Sequence, residues 1–323
     1  MAMQPLKKRV LITDHGFADL EQEKQILQDG GFELDIAQCK TEADVAQAAR
    51  EASALLVQWA PITRQVLEAV PSCKLVVRYG IGVDNVDLEA ARALGVAVCN
   101  VPDYGIDEVA DHAMSLALAL GRQLPALDKR LRAGVWKMAP ATLMPAFADM
   151  TFATAGFGRI GREVLARARG FKFQLASYDP FVPAEAFAQA GVRQLSLDEV
   201  FCEPDILSLH LPLNAQTQHI VSEARLRQMK PHAVLVNTAR GALIDTPALA
   251  RALEEGTIAY AGLDVFEEEP LPPDHPLRNC DNALLTSHVA WHSQNSGLRL
   301  QRLAAEEIVR GLSGQALRSQ VNR

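Results

Sequence analysis

The chain has 323 residues, enough at roughly 150 per domain for two domains. Hydrophobic residues make up 49% and charged residues 22%, a globular balance that excludes extensive disorder. The net charge is −7 and no basic run exceeds Lys7-Lys8-Arg9, so nucleic acid is not an expected partner. No apolar run reaches the ~20 residues of a membrane span, and Val10 to Thr13 is too short for a signal peptide. Cys39, Cys73, Cys99, Cys202 and Cys280 show neither a CxxC pair nor metal spacing, and read as reduced, small apolar residues. These features describe a cytoplasmic protein without disulfides, membrane contact or a bound metal.

Short β-branched runs alternate with helical patterns, which predicts βαβ units and parallel sheets. Arg9 to Thr13 reads as a first strand, Glu21 to Asp29 as a helix and Phe32 to Ala37 as a second strand. Strands follow at Ser53 to Val57, Leu75 to Val77 and Val96 to Asn100, then a long helix at Asp107 to Leu120 whose acidic start suits the positive helix end. Ala133 to Asp149 is poor in pattern, carries Pro140 and Pro145, and reads as a surface excursion. A second βαβ series begins at Thr151 and runs through Asp179, Ile206–Leu211, Ala233–Asn237, Ala259–Asp264 and Ala283–Ser287. In the tail, Ser293 to Leu312, helical spacing puts Leu300, Leu303, Ala304 and Ile308 on one face.

The apolar strand Thr151 to Ala155 runs into Gly156-Phe157-Gly158-Arg159-Ile160-Gly161, followed by a helix at Arg162 to Arg169 and a strand at Gln174 to Tyr178. In such a context Gly156 permits the tight turn, Gly158 lets the backbone approach a pyrophosphate, and Gly161 lets helix and strand pack closely. The helix start then offers N–H groups and a positive dipole end to the phosphates. Asp179, 18 residues beyond Gly161 at the next strand end, can accept both ribose hydroxyls and would repel a 2′-phosphate. NAD rather than NADP is the cofactor expected.

A second glycine loop, Arg78-Tyr79-Gly80-Ile81-Gly82-Val83-Asp84-Asn85, follows another apolar strand. Two glycines one residue apart fit either a backbone nest for a small carboxylate or a sharp structural turn. A substrate bound there would lie in a cleft between domains.

With these motifs go Val236-Asn237-Thr238-Ala239-Arg240-Gly241, Leu263-Asp264-Val265-Phe266-Glu267-Glu268-Glu269-Pro270 and Thr286-Ser287-His288-Val289-Ala290-Trp291. Together with Gly82-Val83-Asp84-Asn85-Val86-Asp87 they make the chain resemble the NAD-dependent D-isomer-specific 2-hydroxyacid dehydrogenase family over most of its length. The resemblance implies two doubly wound α/β domains. A Rossmann-type NAD-binding domain, 102–290, would be inserted into a flavodoxin-like substrate-binding domain, 1–101 with 291–323. It implies Arg240 as the arginine on the substrate carboxylate, a task that a planar fork of fixed charge suits. It also implies His288 as general acid/base and Glu269 as its partner. Alone, Arg240 is a plausible surface ion-pair partner, Glu269 lies in an acidic turn, and the residues do not by themselves separate His288 from His292.

Cofactor contacts implied are Gly156, Gly158, Arg159, Ile160, Gly161, Asp179, Leu211, Pro212, Thr238, Ala239, Arg240, Asp264 and His288. Those to substrate are Arg78, Tyr79, Gly80, Ile81, Gly82, Arg240 and Trp291. The implied partner is a small 2-oxo or 2-hydroxy acid, and the implied assembly a homodimer formed through the nucleotide-binding domain, with Ala133–Asp149 near the contact. Arg78, Trp291 and Cys99-Asn100-Val101-Pro102 look most like the C-terminal binding protein and phosphoglycerate dehydrogenase-like branch, for which an apolar or thioether substrate side chain is expected. That branch also supplies the alternative, an NAD(H)-sensing corepressor scaffold, against which the lack of a long disordered extension weighs. Glu269 differs from the glutamine of formate dehydrogenases and Ile81 from the lysine of the phosphite-oxidising branch. No regulatory domain is expected beyond Arg323. Ala153 stands in place of a common glycine, and Ser287 replaces the usual proline before the histidine, which predicts a looser His288 loop.

Overall fold

The computed structural model describes residues 8–136 and 145–323. The chain divides into two compact units, Met1–Gly105 with Ser293–Arg323, and Ile106–His292. The junctions thus fall at 105/106 and 292/293, where the sequence expectation drew them at 101/102 and 290/291.

The first unit holds strands β1 (Arg9–Ile12), β2 (Glu33–Ile36), β3 (Ala52–Val57), β4 (Leu75–Arg78) and β5 (Ala97–Cys99). All pair in parallel in the order β2-β1-β3-β4-β5, the flavodoxin-like arrangement. Helices α1 (Glu21–Asp29), α2 (Glu42–Ala48), α3 (Arg64–Ala69) and α4 (Leu88–Ala93) make the crossovers, and the final helix α12 (Gln294–Leu312) packs on α1, β3 and β4. Leu300, Ala304 and Ile308 of α12 are buried as its periodicity predicts, whereas Leu303 is only half-buried. Ser293 starts this helix through a reciprocal capping box with Ser296.

The second unit holds α5 (Ile106–Gly121), α6 (Leu124–Arg132), β6 (Thr151–Ala155), α7 (Arg159–Gly170), β7 (Gln174–Tyr178), α8 (Ala184–Ala190) and β8 (Arg193–Gln194). It continues with α9 (Glu199–Cys202), β9 (Ile206–Leu209), α10 (Glu223–Leu226), β10 (Val234–Asn237), α11 (Thr246–Glu254), β11 (Tyr260–Leu263) and β12 (Ala283–Leu285). Seven parallel strands run in the order β12-β11-β10-β9-β6-β7-β8. The chain winds outward from β6 to β8, crosses back to β9 and winds the other way, so the topological switch point lies between β6 and β9. The central strands β6, β9 and β10 are buried on both faces, which explains why they read as largely apolar runs. α5 lies on β9, β10 and β11 and buries Ala113, Leu116, Ala117 and Leu120.

The predicted surface excursion falls partly on 137–144, outside the described residues. Its far end is not loose: Phe147 stacks against Phe173 with ring centroids 4.6 Å apart, and a β-carbon on Gly121 would touch the Phe147 ring at 3.0 Å. α6 was not anticipated. It leaves Leu124, Leu127 and Leu131 exposed along one stripe.

Candidate active site

Because every strand of the second unit is parallel, the loops after β6, β7, β9, β10, β11 and β12 leave the same edge of one sheet. In open α/β sheets ligands bind at that edge, beside the switch point. The residues singled out from sequence in this unit all fall on those loops or on the first turn of α7.

The fingerprint closes tightly around β6. Gly156 has φ +105°, donates its N–H to the Tyr178 carbonyl at 2.7 Å, and would drive a β-carbon to 2.5 Å from the His210 carbonyl oxygen. A β-carbon on Gly161 would lie 2.2 Å from the Gly156 carbonyl oxygen, which is the close helix–strand approach expected. Gly158 differs: a β-carbon there meets nothing within 4 Å. Its bare backbone therefore answers no internal packing need and leaves an open cradle at the start of α7. That helix begins at Arg159, three residues before the predicted start at Arg162, and no side chain caps it. Its first N–H groups thus suit an outside anion. Arg159 is exposed and Ile160 partly packed on the core.

Asp179 is half-buried at the end of β7, where its carboxylate accepts the Phe157 N–H at 2.9 Å and the Phe181 N–H at 3.0 Å. Leu211 is part of the core, and exposed Pro212 accepts the Thr217 hydroxyl at 2.6 Å through its carbonyl. Thr238 is buried, and its hydroxyl oxygen has no hydrogen-bond partner among the described residues. An orphaned buried hydroxyl, an open glycine cradle, an uncapped helix start and a fixed carboxylate are what a bound dinucleotide would use.

β10 ends at Asn237, which shapes the next turn: its side-chain oxygen accepts the Ala239 N–H at 3.0 Å and its amide donates to the Arg240 carbonyl at 2.8 Å. Half-buried Arg240 donates from Nη1 to the Ala239 carbonyl at 2.6 Å. Gly241 then presses on the chain after β11, where a β-carbon would fall 1.9 Å from the Phe266 carbonyl carbon. This contact locks the Arg240 turn to the segment that carries Glu269.

Glu269 accepts the Phe266 N–H on Oε1 at 2.9 Å, and its Oε2 lies 2.6 Å from Nδ1 of His288. Burial pushes the Glu269 carboxyl upward, but the hydrogen bonds from His288 and Phe266 and the charges of His288 and Arg240 outweigh it, leaving it below the ordinary carboxylate range. His288 adopts φ +55°, a left-handed conformation rare for a side chain with a β-carbon. Its N–H donates to the Asp264 carbonyl at 2.7 Å, and its own carbonyl accepts the Trp291 indole N–H at 3.1 Å. His292 sits edge-on to Trp291, with centroids 5.3 Å apart, so of the two histidines His288 is the one facing the carboxylate. Its side chain stays 42% exposed.

Three expectations need correction. Asp264 is not open to a cofactor: it is fully buried, and its carboxylate accepts the Thr286 hydroxyl at 2.6 Å and the N–H groups of Val289 and Ala290 at 3.0 and 2.9 Å. Tyr79, in the first unit, is buried too; its hydroxyl donates to Glu23 at 3.1 Å and its ring meets Phe17 edge-on at 5.1 Å. The nest around Gly80 loses one donor, because the Gly80 N–H is engaged with the Arg78 carbonyl at 2.9 Å. Gly80 has φ +141°, and a β-carbon there would collide with the Arg78 guanidinium, 1.6 Å from Nη1. Asn100 braces this loop by donating to the Ile81 carbonyl at 2.7 Å, while Ile81 and Gly82 are half-buried. The contributions of Asn237, Gly241, Glu23 and Asn100 were missed. Asn237, Gly241 and Asn100 stand inside motif segments read from the sequence, whereas Glu23 lies in none of them.

Among the described residues no group of three or more His, Cys, Asp and Glu side chains is placed to hold a metal. Among them also, no helix is long and apolar enough to cross a membrane.

Residues 114–290 match the model of the D-isomer specific 2-hydroxyacid dehydrogenase, NAD binding domain. The chain is 35% identical to a glyoxylate reductase of Korarchaeum cryptofilum, over 98% of this chain and 97% of the relative. It is 35% identical to a D-3-phosphoglycerate dehydrogenase of Methanocaldococcus jannaschii over 97% of this chain, but spans only 59% of that longer protein. Among solved structures, a D-lactate dehydrogenase of Aquifex aeolicus complexed with NAD and lactic acid superposes with a TM-score of 0.86 at 28% identity, covering 94% of this chain and 96% of the other. With a domain model matched over more than half its residues and a relative aligned end to end, this chain belongs to the D-isomer-specific 2-hydroxyacid dehydrogenases, NAD-dependent oxidoreductases of 2-hydroxy and 2-oxo acids.

Proposed function

We propose that Arg240, Glu269 and His288 interconvert a D-2-hydroxy acid and its 2-oxo acid. The observation that carries this reading is the His288–Glu269 pair at 2.6 Å, with the Arg240 charge acting on the same carboxylate. Bound NAD supplies the hydride acceptor, and NADH the hydride donor, for the substrate carbon. Glu269 on Nδ1 fixes the imidazole plane, so that Nε2 presents the proton to the substrate oxygen during reduction. In oxidation the neutral ring takes the hydroxyl proton at the same nitrogen. Arg240 binds the substrate carboxylate through its fork and stabilises negative charge growing on the carbonyl oxygen.

In this reading Gly156, Gly158, Arg159, Ile160 and Gly161 hold the pyrophosphate, and Asp179 takes the ribose hydroxyls and disfavours a 2′-phosphate. Leu211 and Pro212 cover the adenosine. Thr238 gains through its orphaned hydroxyl a partner on the cofactor, and Ala239 lies beside it. In the first unit the proposed substrate contacts narrow to Arg78, Ile81 and Gly82. Trp291, whose N–H is engaged, contributes its ring. The exposed leucine stripe of α6 supports a homodimer, and five free cysteines support a reducing, cytoplasmic setting.

The test is NADH oxidation against 2-oxo acids running from glyoxylate and hydroxypyruvate to 4-methylthio-2-oxobutyrate and phenylpyruvate. Turnover on an apolar or thioether member supports the full reading. Activity on glyoxylate and hydroxypyruvate alone would overturn the assignment of the side chain. Tight NADH binding with no turnover on any member would favour the nucleotide-sensing scaffold instead.

A further inference from the structure

We propose that His112 is a positioning residue for the catalytic loop, acting on His288 through Thr286 and Asp264. The inference rests on the reading of His288 as the proton-transfer group.

His112 lies on α5, which packs on β9, β10 and β11 through its buried apolar residues. Its Nε2 lies 2.9 Å from the Thr286 hydroxyl and 3.7 Å from Oδ1 of Asp264. Thr286 has one hydroxyl proton, which it donates to Asp264 at 2.6 Å. The His112 contact then closes only if Nε2 carries a proton and donates, which fixes the tautomer.

Asp264 is the hub. It is fully buried, and besides Thr286 its carboxylate accepts the backbone N–H groups of Val289 and Ala290, the two residues after His288. A buried carboxylate holds such a geometry only while its oxygens stay satisfied. His288 itself is held at φ +55°, a conformation that persists only where the surroundings over-determine it. The chain from His112 to Thr286 to Asp264 to the Val289 and Ala290 amides supplies that constraint, and every link lies within one compact unit. The bond from His112 runs to Thr286, while Nδ1 of His288 is taken by Glu269, so the effect proposed for His112 is on placement rather than on the proton itself.

The experiment compares His112→Ala, His112→Gln, Thr286→Val and the double variant His112→Ala/Thr286→Val with the parent enzyme, alongside His288→Ala. His112→Ala should lower kcat roughly tenfold or more, with the NADH dissociation constant changed by less than about twofold. Gln keeps an N–H donor near the same place and should recover most of the loss. Thr286→Val should lose as much as His112→Ala, and the double variant little more than either, because the links act as one unit. Amide hydrogen exchange at Val289 and Ala290 should quicken in His112→Ala and not in His112→Gln. A kcat within about twofold of the parent in both His112→Ala and Thr286→Val, additive losses, or unchanged exchange at those two amides would overturn the proposal. Should His112→Ala not fold, Thr286→Val and His112→Gln carry the test. Retained activity in His288→Ala would instead overturn the underlying reading, and this inference with it.

Discussion

Asp264 holds His288 twice over: its carbonyl accepts the His288 N–H at 2.7 Å, and its carboxylate accepts the next two N–H groups, from Val289 and Ala290. His288, the proposed general acid/base, is thus seated by hydrogen bonds to a buried carboxyl group rather than by chain stiffness. Ser287, where the family resemblance implies a proline, predicted a looser loop. Three hydrogen bonds to one residue provide the constraint that a proline ring would otherwise supply.

Glu269→Gln keeps the shape of the pair and removes its charge. Reduction of a 2-oxo acid needs a proton delivered from His288, and in the proposed mechanism the Glu269 carboxylate on Nδ1 holds the ring that delivers it. The variant should therefore lose roughly ten- to hundredfold in kcat, read by steady-state NADH oxidation. Stability follows a separate rule. The folded value of Glu269 lies below its unfolded value of about 4.3, so its contribution is present above that pH and is lost as pH falls through the folded value. Thermal unfolding of variant and parent should differ near neutrality and converge in acid.

Gly241→Ala tests the clamp between the Arg240 turn and the Glu269 segment. A β-carbon 1.9 Å from the Phe266 carbonyl carbon cannot be accommodated without moving backbone. Destabilisation of about 1–3 kcal/mol is expected in denaturant unfolding, together with a loss of activity larger than the unfolded fraction explains. Parent-like activity would show that the two segments tolerate separation.

Asp179→Asn preserves the acceptor oxygen for the Phe157 or Phe181 N–H while removing the charge that, in the proposed reading, would face a 2′-phosphate. The ratio of kcat/KM for NADPH over NADH should rise by about tenfold, measured with one substrate under one salt condition. An unchanged ratio would place cofactor choice elsewhere.

Tyr79→Phe separates burial from substrate contact. The lost hydroxyl leaves the buried Glu23 carboxyl without one of its donors, which also include Gln301 at 3.0 Å and a backbone N–H. The cost should be about 1–3 kcal/mol in unfolding, with KM for the 2-oxo acid within about twofold of the parent. A raised KM at unchanged stability would return Tyr79 to the binding site.

Much of the fold was legible because parallel strands buried on both faces stand out as short apolar runs: β9 at Ile206–Leu209 and β10 at Val234–Asn237 lie within the runs read, and α1 falls on Glu21–Asp29. Boundaries failed where local signals are weak. The start of α7 was read three residues late because no capping side chain marks it at Arg159, and α6 was not read because its leucines face outward rather than toward a core. At the site, the glycines of the fingerprint could be read from spacing, since each answers a local backbone demand. The Arg240, Glu269 and His288 set could be reached only through resemblance, because its members meet across separate strand ends. Tyr79 and Asp264 were misplaced for a related reason. Position beside a functional loop does not reveal whether a side chain turns toward ligand or toward the interior.

The most direct test of the central claim is the steady-state reduction of a turned-over 2-oxo acid by NADH in the parent and in His288→Ala, with NADH affinity measured on both. The account predicts a D-2-hydroxy acid product from the parent, and a kcat lowered by roughly a hundredfold or more in the variant at unchanged NADH affinity. Turnover in His288→Ala within about tenfold of the parent would contradict the role given to the His288–Glu269 pair.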